Sequence, residues 1–106
     1  MYKPLPDGLT IKESKVQGLG LFATKDFDKE VVLGIVHIEN KNFPHGAIRT
    51  ALGAFYNHSD TPNCINLKGF WHQLPVRYLC TIKKIKAGEE LTAKYTMYAD
   101  FDKEGN

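Results

Sequence analysis

Phe55-Tyr56-Asn57-His58-Ser59-Asp60-Thr61-Pro62-Asn63 is the stretch on which the reading of this chain turns. It is polar, rich in turn-forming residues and flanked by aromatics, and it follows an apolar segment that should be buried. Asn57, His58 and Ser59 put donors and acceptors beside buried backbone, and Pro62 stiffens the exit. Taken alone, the stretch reads as a capped turn.

Working outward, residues 47–56 carry Ile48, Leu52 and Phe55 at helical spacing. This predicts one short helix, weakened by Gly53. Elsewhere the apolar residues alternate or come in short runs, which reads as many short strands. The expected strands cover residues 9–13, 21–23, 31–39, 64–67, 71–74, 76–82 and 90–93. Turn clusters separate them, among them Gly18-Leu19-Gly20, Lys68-Gly69 and Ala87-Gly88. The fold class is therefore mainly β with little helix. Lys25-Asp26-Phe27 and Lys83-Lys84-Ile85 form a faint internal echo, with Phe27 and Ile85 58 positions apart. Two related hairpins would suit a pseudo-symmetric arrangement, and a shared turn habit explains the echo nearly as well.

The bulk composition narrows the class. At 106 residues the chain is read as a single domain, 1–106, with its core over about 10–98 and a frayed tail at 102–106. With 42% apolar and 25% charged residues it has an ordinary globular composition. A net charge of +2 with scattered basic residues gives no case for direct nucleic-acid binding. No apolar run approaches the length of a membrane span, so no membrane association is expected. Cys64 and Cys80 form no CxxC pair and read as reduced core thiols, which fits an intracellular protein, cytoplasmic or nuclear by host.

Two further pieces carry chemistry. Gly18-Leu19-Gly20-Leu21-Phe22-Ala23 is a glycine turn, but it lacks the third glycine and the βαβ setting of a dinucleotide fingerprint. Gly88-Glu89-Glu90-Leu91-Thr92-Ala93-Lys94-Tyr95 is a turn leading into a strand that ends on tyrosine. In this order the three pieces resemble the SET-domain protein lysine methyltransferases, whose pattern runs KGxGxFA, NHSxxPN, GEExTxxY. The resemblance covers most of the chain, and in its minimal form the chain is similar to the short viral members.

That resemblance implies a β-clip fold in which the C-terminal segment threads past the segment bearing Asn57. It implies S-adenosylmethionine as cofactor and a lysine of a protein or peptide as substrate, a histone being one candidate. Gly18, Leu19 and Gly20 would approach the methionine end of the cofactor. Asn57 would hold it by polar contacts and His58 through its backbone. Tyr95 would be catalytic, orienting the amine or methyl, and would border the cofactor. No metal is implied: Asp60 stands where many relatives have a zinc-binding cysteine, and no cysteine follows Cys80. Tyr98 and Phe101 are then the aromatics available to cover adenine, unless a second subunit supplies that cover and makes the enzyme a homodimer. The alternative reading is a catalytically silent SET module that binds a protein partner.

Overall fold

The computed structural model describes residues 5–43 and 46–100, the last six of these as backbone. The first two strands form a hairpin. β1 (Leu9–Glu13) and β2 (Leu19–Ala23) pair antiparallel from Leu9 opposite Ala23 to Glu13 opposite Leu19. The turn between them closes through Ser14 N–H to Gly18 O at 2.7 Å. β3 (Val32–Glu39), β4 (Ala47–Arg49), α1 (Ala51–Phe55), β5 (Asn57–His58), β6 (Cys64–Trp71), β7 (Leu74–Thr81) and β8 (Glu90–Asp100) follow. The ladder order is β1-β2-β8-β6-β7-β3-β4, with β5 attached to β8. The molecule is mainly β, as the sequence predicts.

β8 organises the centre. It runs antiparallel to β2 and parallel to both β5 and β6. Leu21 and Leu91, directly opposite across the β2–β8 pair, are both fully buried. Each such leucine contributes about 1.5–3 kcal/mol through removal from water. Val36, Leu79 and Cys64 complete the middle of the same core.

The expected helix over 47–56 is shorter than its apolar spacing implies. Residues 47–49 pair with the end of β3 as a ladder, His37 opposite Arg49 and Glu39 opposite Ala47. Thr50 then starts α1 in extended geometry (φ −83, ψ 173), its Oγ1 accepting from Gly53 N–H at 3.2 Å and donating to Ile35 O at 2.6 Å. Gly53 has a steric purpose here. A Cβ at this position would strike the carbonyl of Val36, with the Val36 Cα only 3.0 Å away. Its absence lets α1 lie directly on β3.

The expected strand over 71–74 is corrected to a hairpin turn. Trp71 ends β6, Leu74 opens β7, and the two pair across His72 and Gln73, which both have positive φ (49° and 67°). Two consecutive left-handed residues make the tight turn that matches strand twist. Lys68-Gly69, expected to separate strands, lies inside β6 instead. Asn-Gly is the usual signal for such a turn, and His-Gln lacks it.

The echo around Phe27 and Ile85 is structural. The two residues form an antiparallel bridge, with Phe27 N–H to Ile85 O at 2.7 Å and Ile85 N–H to Phe27 O at 2.9 Å. The flanking bonds repeat with the roles exchanged. Ala23 N–H reaches Glu89 O at 2.9 Å and Thr81 N–H reaches Val31 O at 2.9 Å. Gly88 N–H reaches Ala23 O at 2.8 Å, and Glu30 N–H reaches Thr81 O at 2.8 Å. Two copies of one clip thus clasp each other about a local twofold. Glu30 and Gly88 are its equivalent left-handed residues, with φ of 63° and 94°.

Candidate functional site

The polar stretch 57–63 is held on β8 by its own side chains. Asn63 acts as a surrogate strand: its Nδ2 donates to Glu90 O at 2.8 Å and its Oδ1 accepts from Thr92 N–H at 2.9 Å. Backbone pairing continues the contact, with Asn57 opposite Thr92 and His58 opposite Ala93. The crossing expected of the Asn57 segment and the C-terminal segment therefore takes the form of a short parallel ladder.

This docking aims Asn57 at the glycine turn. Asn57 Nδ2 donates to Gln17 O and Leu19 O, both at 3.2 Å, and to Glu90 Oε2 at 2.8 Å. Two amide hydrogens thus serve three acceptors. Glu90 is the anchor that sequence reasoning missed. Its carboxylate also accepts from Ser14 Oγ at 2.8 Å, while Ser14 Oγ accepts from Val16 N–H at 2.9 Å. Gly20 makes room for the arrangement, because a Cβ there would overlap Glu90 Oε2 and lie 3.0 Å from Ser14 Cβ. Ser14, the turn that ends at Gly18, the first residues of β2, Asn57 and Glu90 form one polar clasp. Nothing in the linear sequence connects positions 14 and 90.

Of the residues predicted to bind cofactor, Leu19, Gly20 and Asn57 meet directly in this clasp. Gly18 closes the turn beside them, with open space where a side chain would stand. His58 follows on β5, and its Nε2 lies 3.3 Å from Asp60 Oδ1, both side chains reaching solvent. The backbone of Tyr95 and Tyr98 belongs to β8, with Tyr98 opposite Asn66, while their side chains lie outside what is described. Phe101 lies outside the described residues.

A cleft of about 310 Å³ opens beside the clasp, and its lining includes Leu19, Asn57, His37, Arg49 and Arg77. That volume is at the low end for small-molecule sites. Tyr56 and Asn66 form part of its wall, and Asn66 Nδ2 donates to Tyr56 Oη at 3.1 Å. Asn66 Oδ1 is buried and has no hydrogen-bond partner among the described residues. His37 is held below its ordinary pKa by burial and then by the Arg49 and Arg77 guanidinium groups, with Glu39 opposing them.

Among the described residues, no group of three or more His, Cys, Asp or Glu side chains converges as a metal site would need. Cys64 and Cys80 are free and buried. Burial pushes the Cys64 thiol up to about 12, with a smaller contribution from Cys80.

Comparison with known proteins bears on the family and the fold. The family profile described as SET domain matches residues 35–96. No curated protein matches the sequence. Among solved structures, a Plasmodium falciparum protein named as a candidate histone methyltransferase superposes with a TM-score of 0.67 at 22% identity, over 83% of this chain and 92% of that one. A humanized mutant of the Chaetomium thermophilum Polycomb Repressive Complex 2, bound to an inhibitor, superposes with a TM-score of 0.70 at 20% identity, over 85% of this chain. The same complex in an autoinhibited conformation with S-adenosylmethionine gives 0.68 at 20% identity, again over 85% of this chain. The chain spans 15% of the length of either Polycomb chain.

Proposed function

The chain belongs to the SET-domain family, and from that premise we propose that it transfers a methyl group from S-adenosylmethionine to a lysine side chain of a protein. The observation that carries the reading is the Asn57 amide, which ties the glycine turn to the start of β8 beside an open cleft. The residues present fit the cofactor: a turn with room above Gly18, a half-exposed apolar Leu19, and an orphaned acceptor on Asn66.

When bound, S-adenosylmethionine supplies a methyl group activated by a positive sulfonium. The task left to the protein is to present a neutral amine in line with that methyl. Lysine has a pKa of about 10.4, and its ammonium form has no lone pair with which to attack. A closed, apolar approach disfavours the ammonium through desolvation, so the proton leaves to water before transfer. Tyr95 would orient the amine through its hydroxyl and wall the approach with its ring, and Tyr98 and Phe101 would cover the cofactor's adenine. Histone lysines are one substrate class in keeping with the names of the structural neighbours. We place the protein inside the cell, in the cytoplasm or in a nucleus where the host has one.

The test pairs binding with turnover. S-adenosylmethionine at a hundredfold excess over its Kd should stabilise the protein by about 2.7 kcal/mol, read as a raised melting temperature. Tyr95→Phe should keep that shift while slowing methyl transfer about a hundred- to a thousandfold, equivalent to about 3–4 kcal/mol. A folded protein that shows no shift at millimolar cofactor would instead be a silent protein-binding module.

A further inference from the structure

We propose that the face of the β6-β7-β3-β4 sheet turned away from the cleft is a docking surface for a second copy of this chain. Register places the face. Ile65, Cys80 and Val32 stand directly opposite one another on β6, β7 and β3, and Leu67, Tyr78 and Ile35 form the next row. Val76, Ile38 and Ile48 follow on β7, β3 and β4, and Trp71 opposite Leu74 closes the end. Directly opposite residues share one face of a sheet, and alternate residues turn to the other. The intervening Cys64, Leu79 and Val36 belong to the core, while His37 and Arg77, opposite each other, line the cleft. Val76 and Cys80 are buried without joining that core, so a second apolar layer begins on this side.

Charge, area and shape select the occupant. The four rows hold no charged side chain among the described residues. A twofold contact sets a surface against itself, so a charged face would meet its own sign, and this face escapes that penalty. Val32 and Trp71 each remain 44% exposed and Ile48 43%, although all three are apolar. With strands about 4.8 Å apart and rows about 6.8 Å apart, the face covers about 400 Å² in projection, and side-chain relief raises this to about 500 Å². Two copies then bury about 1,000 Å², the low end for a specific interface, which points to a dimer that dissociates at micromolar concentration. A twofold that reverses strand direction sets the bulky Trp71 end of one copy over the smaller Val32 and Cys80 end of the other. The contact is a packing of two sheets face to face, and it leaves the cleft open on the far side.

Sedimentation equilibrium of the full chain tests this without reference to methyl transfer. Its mass should rise from that of one chain toward that of two across about 1–100 μM. Trp71→Lys should weaken the association at least about tenfold. Phe70→Lys is the matched control: Phe70 is 64% exposed on the same hairpin but, opposite Pro75, it points to the other face, and its substitution should leave the association unchanged. Ile48→Lys, on the edge strand and away from the hairpin turn, should act as Trp71→Lys does and carries the test if that variant fails to fold, which a thermal melt reports. A single-chain mass throughout the range overturns the inference. So does a dimer that survives both face variants, or one that Phe70→Lys weakens as much as Trp71→Lys. Binding of a monomeric natural chain to phosphatidylcholine vesicles, lost in Ile48→Lys, would give the face to a lipid surface and overturn it as well.

Discussion

A carboxylate that accepts from Asn57 and from Ser14 at 2.8 Å forms charge-assisted hydrogen bonds, which contribute more than neutral ones. Glu90→Gln keeps the shape but turns one acceptor into a donor facing donors. Urea unfolding should show a loss of about 1–3 kcal/mol, and cofactor stabilisation should shrink with it because the turn leading into β2 loosens. Ser14→Ala should cost less. Cys64 gives a separate pH signature. Its folded pKa of about 12 lies above the ordinary thiol value, so the folded state disfavours the thiolate. The associated stability is fully present below about pH 8.5 and is lost as pH rises toward the folded value, at up to about 1.4 kcal/mol per unit. Urea midpoints between pH 8 and 10.5 should therefore fall more steeply for the natural chain than for Cys64→Ala. Asn57 and the glycine turn were legible because each sits in a contiguous motif. Glu90 and Ser14 were not, because their meeting depends on β8 lying beside β2, which no local pattern encodes.

At the scale of elements, close approach overrides propensity. Alanine in place of Gly53 should gain about 1 kcal/mol of helix propensity. The new Cβ would strike Val36 backbone, which cannot swing aside as a side chain can, and such overpacking costs about 1–3 kcal/mol. Gly53→Ala should lower the melting temperature despite the better helix former. Glu30→Gly should do the opposite: its left-handed backbone costs about 1 kcal/mol or more with a side chain, a little above the entropy that glycine forfeits. The gain should be at most about 1 kcal/mol in urea unfolding. The strands with clean alternation, such as β1, were legible to the residue. The segment 47–49 was not, because Ile48 and Leu52 share helical spacing yet lie in different elements joined by the Thr50 cap. The His72-Gln73 turn was hidden for a similar reason: the residues that normally announce it are missing, and the β6–β7 ladder alone enforces it.

Across the whole molecule, the pairing that closes the sheet joins residues far apart in sequence, β2 with β8 and Phe27 with Ile85. Such topology should make refolding slow, on the order of milliseconds to seconds in a stopped-flow measurement, rather than microseconds as for a helical bundle. The central place of β8 has a further consequence during synthesis. The ribosome makes β8 after β1 to β7, so the strands that β8 joins are all made before it. Until then β2 and β6 both present unpaired edges, the condition under which nascent chains stick to one another. The fold stays open until β8 is in place, and yield in a cell depends on what shields those two edges until then.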